Sequence, residues 1–200
     1  MLTPDPIHEL PSGYREAEHL VVTESGKLFW LNVLSLIPIA AAVVVMGLWG
    51  SLVLRLRGSW LVSPGGQFPS WLALLLVLLV TLPLHEAVHG LAIIWVGHRP
   101  RFGMKLSKMV IYATTEDGLF RRDEFIFVAL APLVLITLVG MLLAFAVPDW
   151  IGYYTSLAVV LNAGGAIGDL WMVAVVLRYP PSAIVRDEAD GIRIFTPAVN

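Results

Sequence analysis

Four apolar runs, each long enough to cross a bilayer as a helix, alternate with polar stretches along this chain. They occupy about residues 28–54, 71–97, 125–147 and 153–177 and predict four transmembrane helices. Phe29 and Trp30 at one end of the first run, with Trp49 near the other, sit where interfacial anchors belong, and Pro38 predicts a kink between them. Gly58, Pro64, Gly65, Gly66 and Pro69 mark a short loop, and residues 147–150 a tight turn. The polar stretches have patterns of their own. Residues 1–27 are broken by Pro4, Pro6, Pro11 and Gly13, after which HLVVTESGK reads as a strand ending in a turn at Ser25-Gly26. In residues 98–124 polar and apolar positions alternate through RFGMKLS, then KMVIYATTE continues in strand-forming residues, which predicts a β-hairpin between helices 2 and 3. The stretch 178–200 is stopped by Pro180-Pro181 and predicts a hairpin turning at Asp190-Gly191. The expected fold is an all-α integral membrane protein of four spans with a small cytoplasmic β-hairpin. A membrane domain, 28–177, lies between tails 1–27 and 178–200.

Composition strengthens this reading and narrows the chemistry. The chain is 58% hydrophobic and 14% charged, too apolar for a soluble domain of its size. Without cysteine it can form neither disulfides nor a thiolate site, so any metal must use histidine and carboxylate. A net charge of -2 argues against a nucleic-acid partner. Basic residues orient the spans. Arg15, Lys27, Arg99, Arg101, Lys105, Lys108, Arg121, Arg122, Arg178, Arg186 and Arg193 fall on the side of the chain ends, and only Arg55 and Arg57 on the other, which places both termini in the cytoplasm.

The second span carries His85, Glu86 and His89, an H-E-x-x-H set into hydrocarbon-length sequence. Residues four apart share one face of a helix, so both imidazoles can reach a single Zn²⁺ while Glu86, offset around the cylinder, stands as base to a water on the ion. Ionisable groups cost about 2.5 to 3.5 kcal/mol each at the centre of a span, so they mark function there. The plainer alternative is that the three side chains hydrogen-bond neighbouring helices. Pro83, two residues before His85, frees a carbonyl one turn back and can shape the site. His8 and His19, in the polar tail, read as solvated side chains.

HEAVHG within a membrane helix, a basic strand-like loop, a span opening APL and a last span bearing LNAGGAIGD together resemble membrane zincins of the site-2 protease type. In size and layout the chain resembles, more closely, the "putative zincin peptidases" of bacteria and archaea. The resemblance implies zinc held by His85, His89 and a distant Asp169, with Glu86 as the catalytic carboxylate and Asn162 shaping the site. Where the site-2 type has prolines and Asp-Gly in its last segment, this chain has glycines and Asp169-Leu170. Depth argues for Asp169 independently. At about 1.5 Å per residue, His85 and His89 lie roughly 21 and 27 Å below Trp71, and Asp169 roughly 24 Å below Tyr153.

The expected function is therefore a membrane-embedded zinc metalloendopeptidase acting on membrane or membrane-proximal polypeptides. Its partners would be the lipid bilayer and a polypeptide substrate, and an edge strand within residues 101–115 could hold an unwound substrate segment. Two alternatives use the same residues. A non-catalytic metal-binding membrane protein would keep the histidines without needing Glu86, and a proton- or ion-coupled transporter would use His85 and Glu86 as a relay.

Overall fold

The computed structural model describes residues 6–22, 25–58, 70–105, 110–115, 118–188 and 191–198. Its helices fall on the apolar runs: α1 (Ser25–Leu34) and α2 (Leu36–Arg57), α3 (Ser70–Trp95), α4 (Arg122–Ala146), α5 (Asp149–Gly165) and α6 (Ile167–Val176). The break at Ser35 has a cause one turn later. Pro38 has no N–H for the carbonyl of Leu34 and its ring crowds it, so α1 ends there. Gly58 closes α2 in the left-handed conformation, φ 73°, its N–H bonding the carbonyl of Leu54. At the start of α4, Glu124 accepts from the backbone N–H of Arg121 at 2.9 Å and from its guanidinium at 2.8 Å, half of a capping box. Three helical stretches, 26–57, 71–95 and 122–146, are long and apolar enough to span a membrane; α5 and α6, interrupted at Ala166, make a fourth if they act as one.

The expectation of an all-α chain with one small hairpin requires correction. That hairpin is present, β2 (Pro100–Lys105) antiparallel to β3 (Val110–Thr115). A four-stranded sheet stands beside it, in the order β1-β6-β5-β4, from β1 (Tyr14–Val21), β4 (Leu119–Arg121), β5 (Ile184–Glu188) and β6 (Gly191–Pro197). Both tails are thus built into the fold. The expected C-terminal hairpin is β5 and β6, pairing Glu188 with Gly191, with Asp190 outside the described residues. Ser25 and Gly26 open α1 and do not form a turn. What escaped the sequence reading is pairing between segments far apart: Tyr14 to Val21 with Gly191 to Pro197, and Leu119 to Arg121 with Ile184 to Arg186. Strands of three to eight residues cannot bury their own apolar faces, so their stability comes from tertiary partners.

The chain divides into two units, Met1–Leu31 with Glu86–Ala131 and Gly168–Asn200, and Asn32–His85 with Pro132–Ile167. In the first, Leu20, Phe120, Val185, Ile192 and Ile194 on one sheet face pack with Ala92, Ile93 and Val96 of α3, Phe125 and Val128 of α4, and Val173 and Val176 of α6. The outer face carries a charge ladder: Arg193 bonds Glu188 at 2.7 Å and Glu16 at 3.1 Å, with His19 3.5 Å from Glu188. In the second unit the buried cluster is small, Met46, Val53, Ala144 and Val159. Glycines let its helices close up, since a methyl group on Gly140 would collide with Val159. Trp49 donates its indole N–H to the carbonyl of Met141 at 2.9 Å, and Arg57 binds the carbonyls of Phe145 and Val147 and pairs with Asp149.

Candidate metal centre

On α3 the sequence TLPLHEAVHG continues as helix through Pro83, so His85 and His89 stand one turn apart on one side. Both are buried, each about 8% exposed, and Glu86 is half-buried between them in sequence. Neither imidazole is left to swing. His89 Nδ1 lies 2.9 Å from the carbonyl oxygen of Val128, an atom that can only accept, so Nδ1 carries the proton. His85 Nδ1 lies 2.8 Å from Asn162 Oδ1. Asn162 is itself oriented, because its Nδ2 donates to the carbonyl of Pro132 at 3.1 Å. That turns the amide oxygen towards His85, whose Nδ1 must then be the donor. In both rings Nδ1 is thus the engaged donor, and Nε2 is the nitrogen that would face a metal.

Asp169 comes from the other side of the helix interruption. α5 ends at Gly165 and α6 begins at Ile167, with the N–H of Ala166 bonded to the carbonyl of Asn162, so Asp169 lies in the first turn of α6, where the helix dipole favours a carboxylate. Of the glycines around the break, a methyl group on Gly164 would press on Ile39, whereas Gly165 and Gly168 have open space around them. Those two are not there for close packing. Asp169 Oδ2 lies 3.5 Å from His89 Nε2. His85, one turn before His89 on the same helix, completes the group: one ligand atom each from His85, His89 and Asp169 lie within 4.8 Å of one another.

Two imidazoles with Nδ1 engaged by oxygen acceptors, gathered with one carboxylate, are the donor set a tetrahedral zinc site uses, including the outer hydrogen bonds that fix ligand orientation. The residues fit zinc, and three protein ligands leave a fourth position for water or substrate. Asn162 touches His85 directly, while Pro83 lies in the turn before it, removing the N–H that would bond the carbonyl of Leu79. His19 lies in the charge ladder, outside this group.

Four residues were given no role in the site by the sequence reading. Pro132 and Val128 supply carbonyls to the site, and the signal was there: a proline inside an apolar helix leaves a carbonyl four residues earlier without its helical donor. Gly90, directly after His89, lies under the ring of Phe102 from β2, and a methyl group there would collide with it. Asp187 of β5 is the fourth. Alternation along β5 puts it on the same sheet face as Val185, turned to the core, and burial pushes its carboxyl up to about 7, with the charges of Asp169 and Glu86 adding to the shift and His89 opposing it.

Comparison with known proteins places the chain in a family. Residues 78–184, more than half of its length, match the family described as "putative zincin peptidase", and the chain belongs to that family. No curated protein and no solved structure matches it.

Proposed function

We propose that this member of the zincin family is a membrane-embedded zinc metalloendopeptidase that hydrolyses peptide bonds of membrane or membrane-proximal polypeptides. The observation that carries the reading is the convergence of His85, His89 and Asp169, with Glu86 in the same helical turn as His85. The two imidazoles and Asp169 would hold the ion. When bound, zinc supplies a Lewis acid for the scissile carbonyl and for water. Glu86 acts on the proton. It takes one from the attacking water as the bond from water oxygen to carbonyl carbon forms, then delivers it to the nitrogen as the C–N bond breaks, leaving a carboxylic acid and an amine. Val128 and Asn162 keep the imidazoles from rotating out of place.

The sheet bears on how the chain crosses the membrane. Paired strands cannot straddle hydrocarbon, so β1, β4, β5 and β6 lie on one side. Two crossings, by α1–α2 and α3, return the chain from β1 to β4. A third by α4 needs a fourth before β5, and only α5 with α6 can provide it. This parity supports four crossings, and the excess of Lys and Arg on the sheet side supports a cytoplasmic location for both ends.

Zinc content of the detergent-purified chain tests the proposal, wild type beside His85→Ala and Glu86→Gln. Wild type should hold stoichiometric zinc and His85→Ala should lose most of it. Glu86→Gln should keep the metal while peptide cleavage falls about 10²- to 10⁴-fold. A wild-type chain that takes up no zinc would sink the reading. Metal loss in Glu86→Gln would make Glu86 a ligand, and unaltered cellular function of that variant would favour the non-catalytic alternative.

A further inference from the structure

We propose that Pro132 and Asn162 are positioning residues that set the tautomers of the two candidate zinc ligands, Pro132 through the N–H it lacks and the carbonyl it offers. The inference rests on the reading of His85 and His89 as ligands. In an unbroken α4 the carbonyl of Val128 would receive the N–H of residue 132. Proline has none, and the carbonyl of Val128 takes His89 Nδ1–H at 2.9 Å. The carbonyl of Pro132 in turn takes Asn162 Nδ2–H at 3.1 Å, and the amide so oriented presents Oδ1 to His85 Nδ1 at 2.8 Å. One turn of α4, residues 128 to 132, therefore places, directly or through Asn162, an acceptor at Nδ1 of each imidazole. The two arms are different in kind. His89 is held by backbone, which no side-chain substitution at Val128 removes, whereas His85 is held by a side chain, Asn162, that is itself fully buried, about 2% exposed.

A neutral imidazole can bind metal through Nε2 only if Nε2 is the unprotonated nitrogen. Left to itself the ring populates both tautomers and several orientations. The acceptors at Nδ1 thus act before the metal arrives, and they should be visible without it. The two arms also predict separable failures. Pro132→Ala restores an N–H that competes for the carbonyl of Val128 and so disturbs His89, leaving the Asn162 arm its carbonyl. Asn162→Ala removes the acceptor from His85 and leaves His89 as it was.

The test uses the full chain with ¹⁵N-labelled histidine, metal-free, with signals assigned by their loss in His85→Asn and His89→Asn. Imidazole ¹⁵N shifts should report Nδ1–H in both rings of wild type. Pro132→Ala should move His89 alone towards the Nε2–H tautomer, and Asn162→Ala should move His85 alone. Zinc affinity by chelator competition should fall about 10- to 100-fold in each variant. Pro132→Ala keeps helix-forming backbone and should melt no lower than wild type, which separates positioning from folding. Unchanged tautomers in both variants would overturn the proposal, as would wild-type rings whose Nδ1 carries no proton. If wild type binds no zinc while the tautomers shift as described, the peptidase reading falls and the positioning role stands.

Discussion

The sheet of the first unit and the helix α2 of the second sort their residues by opposite rules. In the first, β6 alternates Ile192 and Ile194, both fully buried, with Arg193, which lies in a charge ladder on the outer face. In the second, the large side chains of α2 are the exposed ones, Ile37, Leu48 and Leu56 among them, while Met46, Gly50 and Val53 are buried. Solvent explains the difference. Water drives the apolar face of a sheet inward at about 25 cal/mol per Å². Lipid gives a leucine no reason to leave the surface, so helices in hydrocarbon associate through small residues and shape, as Gly140 does against Val159. A hydrophobic residue therefore marks a core on the inner face of the sheet and mostly a surface on α2.

The largest effect that could break this comparison is all-or-none. Cysteines placed singly at Ser12, Ser182 and Trp150 should divide by side, the first two protected from an impermeant thiol reagent in intact cells and the third labelled. Labelling of Ser12 and Ser182 from opposite sides would be incompatible with one sheet on one side. Next come matched truncations. Ile194→Ala, at a fully buried position, should cost about 2 to 5 kcal/mol of stability. Leu48→Ala, 69% exposed, should cost under about 1 kcal/mol in detergent. Equal losses in denaturation would mean that the second unit buries α2 after all.

A pH dependence sharpens the comparison at Asp187, a carboxyl turned to the apolar face of the sheet in the first unit. Its value is about 7 in the folded chain against 3.8 ordinarily, so the folded state holds a proton that the unfolded state has released across that interval. Stability should therefore fall as pH rises from about 4 towards about 7, and change little from this group beyond either limit. Asp187→Asn should flatten the slope in that window and raise stability on its alkaline side. A variant with the wild-type slope would assign the pH dependence elsewhere.

Much of the candidate site was legible because it is local. His85 and His89 need only helical spacing to share a face, and the apolar runs needed only length to predict α3 and α4. Asp169 and Asn162 could be named from the last span, but nothing in their own segment says which atom each would face. The sheet was legible only in pieces, as a strand-forming run that overlaps the end of β1 and a turn at Asp190-Gly191.

By itself, then, the sequence determined the long apolar helices and the histidine pair with Glu86 beside it, since period and hydropathy act between near neighbours. Tertiary structure alone decided the rest. The acceptor for His89 lies 39 residues away and that for His85 lies 77 away, and β1 finds its partner at the far end of the chain. Contacts over such separations follow from how helices and strands pack to satisfy buried polar groups, and no local pattern encodes which carbonyl, amide or strand edge will be within reach.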